Sequence, residues 1–456
     1  SPNLPGDFSG GLVDIATKDF PSQFVFNASV SAGFNTNVTL NDNYLTSEGS
    51  STDWLGFDDG SRELPQGVVD NQRDFPQFAE GLSNPDRAQQ LTELTNSFDN
   101  RWAQRTEAPP VNHGFSVSLG DQKELFGKPV GIIGAFSYDR SFSGYEGGET
   151  GIWELSGMID QAESLNSQLA TVDQLGQEDV IWGGMLSSTI KLSPTQKIGV
   201  TLMRNQSGTH RTMFQQGTKR RDDPDDIFEA RTWEYIERSL TTAQINGKHV
   251  FTNANNFETD WLGSLSLSSQ DEPDLRFFTN RYDPGNDRYF IKPSSDVPSS
   301  RFDRTLDQSN ADFKINFGLP FNNWNGMSSM FRFGGSYVYR DREFREDRYN
   351  FNSGSFVLAD GDVFAYFQPE NLLQFADGGY LNPSTGVYVS SNFRDANNYN
   401  SDQTVLAGYA MTELPITEKL RAIGGARLET TVIRLETFDK GSTLMEFPKL
   451  DGEQNL

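Results

Sequence analysis

Histidines and clustered carboxylates are the residues of this chain whose types could bind a metal ion. The three histidines, His113, His210 and His249, are far apart in sequence. The strand pattern described below puts the first two near one end of the strands and the third near the other, so a shared zinc site is not expected. Two acidic groups carry the oxygen ligands that calcium prefers: Asp222, Asp223, Asp225 and Asp226, and Asp283 with Asp287. Neither has the spacing of an EF-hand loop, so solvated loop acids are the favoured interpretation and no metal site is predicted.

Catalytic motifs are also missing from the sequence. Serines, threonines and carboxylates are abundant, yet there is no G-x-S-x-G elbow and no H-E-x-x-H pair. The chain has no cysteine, which removes thiolate chemistry and disulfides. We therefore predict that the protein is not an enzyme and needs no cofactor.

Composition narrows the class of protein. The 456 residues include 63 acidic and 38 basic side chains, a net charge of -25, which argues against nucleic acid as a partner. No stretch approaches the roughly 20 apolar residues of a membrane helix. The 42 glycines, 35 phenylalanines, 14 tyrosines and 7 tryptophans indicate short aromatic strands separated by turns.

Apolar and polar residues alternate with a period of two in many segments. Between Phe24 and Phe34, every second residue is Phe, Ala or Val, and the residues between them are mostly polar. Eleven such strands are predicted, over 24–34, 113–120, 129–142, 180–192, 197–207, 229–248, 258–270, 303–319, 327–344, 402–414 and 418–436. A soluble sandwich and a membrane barrel both produce this alternation.

The lengths of the connections separate these two folds. Every second connection is short, as in "SPTQ" and "PITEK", whereas the others are long and polar, at about 35–112, 143–179, 208–228, 271–302 and 345–401. Membrane barrels of the up-and-down type keep short turns at one rim and long loops at the other. The predicted fold class is therefore all-β, a transmembrane antiparallel up-and-down β-barrel.

The polar sides of the predicted strands carry charged residues that would face the lumen of such a barrel. They are Asp139, Glu234, Arg238, Asp312, Lys314, Arg332, Arg340, Arg427 and Glu429. Charge is costly against lipid or in a dry core, so the lumen should hold water or a polar plug.

The opening stretch "PGDFSGGLVDIATKDFP" places a Gly-rich turn before a short strand. It resembles the end of the plug domain of TonB-dependent outer-membrane receptors, where a Gly-Gly turn leads into a strand before the barrel. The resemblance rests on Gly6, Gly10, Gly11, Val13, Ile15, Thr17 and Lys18, with a simple glycine turn as the alternative. Phrases such as "DWLGFDDGSRELP", "YIERSL", "SSQDEPD" and "LRAIGGARLE" extend it over the chain.

This resemblance implies a receptor with a 22-stranded barrel and a plug in its lumen, located in the cell outer membrane of a Gram-negative bacterium. It assigns 1–21 to the end of the plug and 22–456 to the first half of the barrel, so the chain is expected to be an internal piece of a longer protein. The partners implied are TonB, through a segment not in this chain, and membrane lipids, while a surface lipoprotein is left open.

The resemblance further implies import of a scarce nutrient, a siderophore, oligosaccharide or peptide, driven from the inner membrane. The long loops should bind this ligand, and the aromatic candidates are Trp54, Trp102, Trp153, Tyr282 and Tyr380. The first loop is long enough for a small helix at 85–98. Two alternatives remain: a passive outer-membrane barrel or surface-interaction protein, and a soluble β-rich adhesin.

Overall fold

The computed structural model describes residues 21, 23–99, 101–155, 164–219, 226–291, 298–353, 357–358, 363–382 and 386–437. Within these ranges the chain forms an antiparallel sheet in which eleven long strands pair in chain order. They are β1 Val25–Gly33, β2 Asn112–Leu125, β3 Lys128–Leu155, β4 Leu165–Ser193, β5 Gln196–Lys219, β6 Ile227–Phe251, β7 Phe257–Asp283, β8 Ser299–Asn322, β9 Ser328–Ser353, β10 Tyr399–Thr417 and β11 Leu420–Thr437. The all-β class and the eleven predicted strands are confirmed. In the part of the chain described, no helix has the length and apolar character needed to span a membrane.

Five short turns join these strands at one edge of the sheet, which we call the turn end. The turn between β2 and β3 contains only Phe126 and Gly127, with φ of 51° and 68°. Positive φ at both positions is the geometry of a hairpin turn whose twist matches that of its strands. The turn after β6, a 3-10 turn at Thr252–Ala254, also ends in positive φ, at Asn255 and Asn256. These are the five short connections that the sequence predicts.

The opposite edge, the insert end, differs from the prediction because the strands there are longer. The loops predicted at 143–179, 208–228 and 271–302 are largely strand, the loop at 345–401 begins and ends in strand, and only the first, at 35–112, keeps its bounds. The cause is that polar residues occupy both sides of these strand ends, so the alternation is lost although the backbone ladder continues. Arg304 on β8 and Glu346 on β9, for example, sit opposite each other and form an ion pair at 2.8 Å.

The connections at the insert end form a folded body, which we call the insert: 34–99, 101–111, 363–382 and 386–391. Its helices in the described ranges are α1 Gln66–Asp70, α2 Phe78–Gly81 and α3 Pro85–Ser97, with 3-10 turns at Asp53–Leu55, Gln72–Asp74, Val363–Phe367 and Pro369–Asn371. Leu45–Thr46 pairs with Arg105–Thr106, and Val387–Ser391 pairs with β9. Outside the insert, Arg288–Phe290 pairs with Val357–Leu358, and Asp395–Asn397 forms a 3-10 turn.

Helix α3 confirms the helix predicted at 85–98. The Asn84 side chain accepts hydrogen bonds from the backbone N–H groups of Asp86 and Arg87, and Pro85 occupies the first helical position. Both are strong helix-start signals. Leu91 and Leu94 on one side of the helix are buried in the core of the insert.

The register assigns every strand residue to one of two faces. Phe115, Phe136, Leu265, Phe313 and Leu406 share face A, because residues paired across antiparallel strands point the same way. Toward the turn end, face A is an exposed apolar band. The opposite face, face B, carries polar residues along the same strands.

The insert packs on face A, beyond the apolar band. β9 pairs with β8 without a register shift, so Tyr337 in the band and Tyr349 and Phe351 at the insert end lie on the same face. Tyr349 and Phe351 are buried against the insert, in a core centred on Trp102. One face of one sheet is thus exposed and apolar at one end and covered at the other.

Candidate functional site

Face B carries all nine charged residues that the sequence assigns to the polar sides of the strands. The register puts Asp139, Glu234, Arg238, Asp312, Lys314, Arg332, Arg340, Arg427 and Glu429 there. Their common placement is what the alternation predicts. That face B lines a lumen stays a prediction.

Hydrogen bonds and ion pairs, some between strands and some along one strand, connect these groups with each other and with further polar residues of face B. Arg332 lies 3.2 Å from Glu413, and Arg427 lies 2.7 Å from Glu429. The hydroxyl of Tyr409 donates to the amide oxygen of Asn316 at 2.7 Å, across two strand spacings. Such a network is stable in contact with water or with a polar partner, and would be costly against lipid.

A cavity of about 400 Å³ opens on face B between β4 and β9. Its polar lining includes Arg238, Gln270, Gln308 and Arg342, with Ser268 between them. The volume falls in the range of small-molecule sites. The sequence names Arg238 as a lumen-facing charge, but it gives no signal that Arg342 is its neighbour in a cavity, because strand pairing brings them together.

The five aromatic candidates for ligand binding do not form one site. Trp102 is only 1% exposed and forms the centre of the insert core, stacked on Phe367 at 4.2 Å, so it presents no surface to a ligand. A bulky aromatic residue in a long loop can bind a ligand or pack in the core of the folded loop, and Trp102 does the latter. Trp54, 50% exposed, and Tyr380 lie on the surface of the insert.

Trp153 and Tyr282 lie on the strands themselves. Trp153 is 56% exposed near the end of β3. Tyr282, near the end of β7, stacks on Tyr289 at 4.7 Å and donates its hydroxyl hydrogen to Asp287 at 3.0 Å. Both were predicted in loops, and both belong to strand ends that extend beyond the predicted bounds.

The three histidines lie in three separate environments. His210 on β5 is 2.8 Å from the Ser47 hydroxyl of the insert, His113 contacts the Val111 carbonyl through Nδ1 at 2.9 Å, and His249 accepts from the indole N–H of Trp261 at 3.1 Å. Among the residues that the structure describes, no three His, Asp or Glu side chains are arranged to hold a metal ion.

One of the two acidic groups lies mostly outside the described residues. Asp283 accepts hydrogen bonds from the backbone of Gly285 and Asn286 and from Arg288, as a loop carboxylate does. Asp226 is within the described residues, whereas Asp222, Asp223 and Asp225 lie outside them. The seven residues of the plug resemblance, Gly6, Gly10, Gly11, Val13, Ile15, Thr17 and Lys18, lie outside the described residues too.

Buried charges at the contact between the insert and face A are a feature that the sequence does not reveal. Arg301 on β8 is buried, with Nε 3.3 Å from Asp274, and its guanidinium also donates to the Asp99 carbonyl of the insert. Burial lowers the pKa of Arg301 to about 10. On the insert itself, Arg62 is paired with both Asp53 and Asp58.

Two aspartates face each other in the same contact. Asp303 on β8 and Asp347 on β9 are directly paired in the register, and Gln72 of the insert donates to Asp347 at 2.8 Å. Burial, reinforced by the other carboxylate, raises the pKa of Asp303 to about 7. Burial likewise raises the pKa of Asp347 to about 6. These groups lie at the insert end, outside the apolar band.

No protein-family model, no curated protein and no solved structure matches this chain.

Proposed function

We propose that this chain forms part of the wall of a TonB-dependent outer-membrane receptor that imports a scarce nutrient, a siderophore, oligosaccharide or peptide. The observation that carries the proposal is the separation of the two faces. Toward the turn end, exposed apolar residues such as Leu265, Phe313 and Leu406 lie on face A, whereas the nine charged residues predicted to face the lumen lie on face B. Lipid outside and a polar lumen inside would satisfy both faces.

The apolar band supports contact with lipid. Leu265 is 63% and Phe313 47% exposed on adjacent strands, and Leu406 is exposed two strands further on. A soluble sheet would bury such residues, since each Å² of apolar surface removed from water contributes about 25 cal/mol. Strands of 9 to 29 residues meet the roughly 9 to 11 that a tilted strand needs to cross a membrane.

The connections support an orientation. Outer-membrane barrels have short periplasmic turns and long extracellular loops, so the turn end would face the periplasm and the insert the outside. Because the insert packs on face A, it would stand on the outer side of the wall above the membrane. A ligand entering the lumen would then meet face B.

The transport step rests on the resemblance of the opening stretch to a plug. Uptake of labelled ligand by cells that express the whole gene product, with and without TonB, tests it. We expect uptake that is lost when TonB is deleted, and uptake that survives the deletion would contradict the proposal and favour a passive barrel. Extraction of the protein from membranes is the control, since release without detergent would favour a soluble adhesin.

A further inference from the structure

The cavity on face B contains two arginines that are held in the same way. Arg238 on β6 donates its Nε hydrogen to the amide oxygen of Gln270 on β7 at 2.7 Å. Arg342 on β9 donates its Nε hydrogen to the amide oxygen of Gln308 on β8 at 2.9 Å. Gln270 lies opposite Leu306 and Gln308 opposite Ser268, so the two glutamines are diagonal neighbours on adjacent strands, roughly 7–8 Å apart. The two guanidinium groups therefore approach the same space from opposite sides.

No carboxylate of the described residues balances these two cations. The cavity lining contains both arginines and no acidic side chain. Glu272 and Glu346, the acids that follow Gln270 and Arg342 on face B of β7 and β9, are already paired, since both contact Arg304, at 3.3 and 2.8 Å. The chain has a net charge of -25, whereas the lining of this cavity is positively charged.

The bond from Nε of each arginine to a glutamine leaves the terminal N–H groups of the guanidinium available to a ligand. A guanidinium whose Nε is engaged still presents the N–H groups of its two terminal nitrogens, which bind a carboxylate or another oxyanion with charge-assisted hydrogen bonds. Asn205, Ser207 and Ser268 add neutral donors and acceptors, and Leu240 and Leu306 add an apolar surface for a carbon skeleton.

We propose that this cavity is a binding subsite for a small organic ligand that carries two or more carboxylates. The inference rests on the proposed function in one respect, since it takes face B to be the side that a ligand reaches. It narrows the expected nutrient to an anionic one, because a neutral oligosaccharide or peptide would leave both guanidinium groups without a counter-charge.

Calorimetry on the detergent-solubilised whole gene product, with tricarballylate as the probe, tests the subsite. We expect R238Q and R342Q each to weaken binding about tenfold or more, and the double variant to bind no tricarballylate. Both arginines are exposed, so their replacement should not affect folding. R340Q is the matched control: Arg340 also lies on face B and bonds a glutamine, Gln403, at 3.1 Å, but it does not line the cavity. It should leave the affinity within about twofold.

Three outcomes would overturn the proposal. The first is wild-type affinity for tricarballylate in R238Q and R342Q. The second is that the trimethyl ester of tricarballylate binds as tightly as the free acid. The third is that inorganic phosphate binds as tightly as tricarballylate, which would mark a general anion site. None of these depends on TonB. Loss of tricarballylate binding in the two variants together with TonB-independent uptake would support the subsite and contradict TonB-dependent transport. The failure of the subsite and the failure of the proposed function can therefore be told apart.

Discussion

The turn end and the insert end of face A are built from the same strands but meet different surroundings. At the turn end, Leu265 and Phe313 are exposed. At the insert end, Trp233 and Tyr349 are buried under the insert. The alternation of a strand decides which face a side chain is on, whereas its burial depends on what lies opposite that face.

The two ends also differ in the chemistry of the contact. The apolar band has no charged partner to match, so any apolar solvent would suit it. The insert end buries Arg301 with Asp274, and Asp303 opposite Asp347, and such groups need particular partners at particular positions. We infer that the insert packs on face A through contacts specific to these residues, whereas the apolar band would accept any apolar surface.

The largest effect should come from removing the centre of the insert core. Trp102 packs against Trp233, Phe351 and Phe367. Trp102→Ala would leave a cavity among them and should destabilise the insert by about 3–5 kcal/mol. Hydrogen exchange should show faster exchange in α3 and in the insert end of β9, with the turn end unchanged.

Trp54→Ala is the matched control for this change. Trp54 is on the same insert but half exposed, so its removal should cost less than about 1 kcal/mol. If Trp102→Ala leaves the exchange of α3 as it is, or accelerates exchange equally at the turn end, the insert is not a separate body with its own core.

The second largest effect concerns the apolar band. Leu265→Arg puts a charge on face A where the proposal places lipid, at a cost of about 2–4 kcal/mol. Ser266→Arg, one residue later, puts the same charge on face B, where Ser266 faces Thr242. We expect Leu265→Arg to reduce the amount of folded protein in the outer membrane and Ser266→Arg to leave it nearly unchanged. Equal effects of the two variants would mean that face A does not contact lipid.

The sequence was sufficient for the eleven strands and for the face of each charged residue because both follow from local alternation. It was not sufficient for the strand ends, because the strands continue there through polar residues such as Arg304 and Glu346, and neither face of the strand is apolar. It also could not show that Trp102 is a core residue or that Arg238 and Arg342 share a cavity. Those facts depend on contacts between segments distant in sequence, which no local pattern reports.

The third effect is a dependence on pH that is confined to the insert end. The pKa of Asp303 is raised to about 7 and that of Asp347 to about 6, in each case chiefly by burial. A carboxyl whose pKa is higher in the folded state stabilises that state below its unfolded pKa, near 4, and this stability is lost as the pH rises to about 7. Further carboxylates that raise the pKa of Asp303 are Asp274, Asp271 and Glu63.

We therefore expect the insert to become less stable by on the order of 2 kcal/mol between pH 4 and pH 7, measured by the exchange rates of its amides corrected for pH. Asp303→Asn should remove most of this dependence and stabilise the insert at pH 7. Asp303→Asn with an unchanged pH profile would show that the facing pair does not titrate in this range.

The smallest effect comes from one hydrogen-bonded chain that joins the insert to β5. Burial lowers the pKa of His210 to about 4, so the imidazole is neutral at pH 7 and can accept the Ser47 hydroxyl hydrogen at 2.8 Å, while Thr212 donates to the Ser47 oxygen at 3.1 Å.

Ser47→Ala leaves His210 and Thr212 buried without this hydrogen-bond partner and should cost about 1–2 kcal/mol of stability. Ser83→Ala, an exposed serine of the same insert, should cost almost nothing. Thermal unfolding followed by near-ultraviolet absorption of the insert aromatics measures the difference. A loss as large as that of Trp102→Ala would mean that this polar contact, rather than the aromatic core, holds the insert on face A.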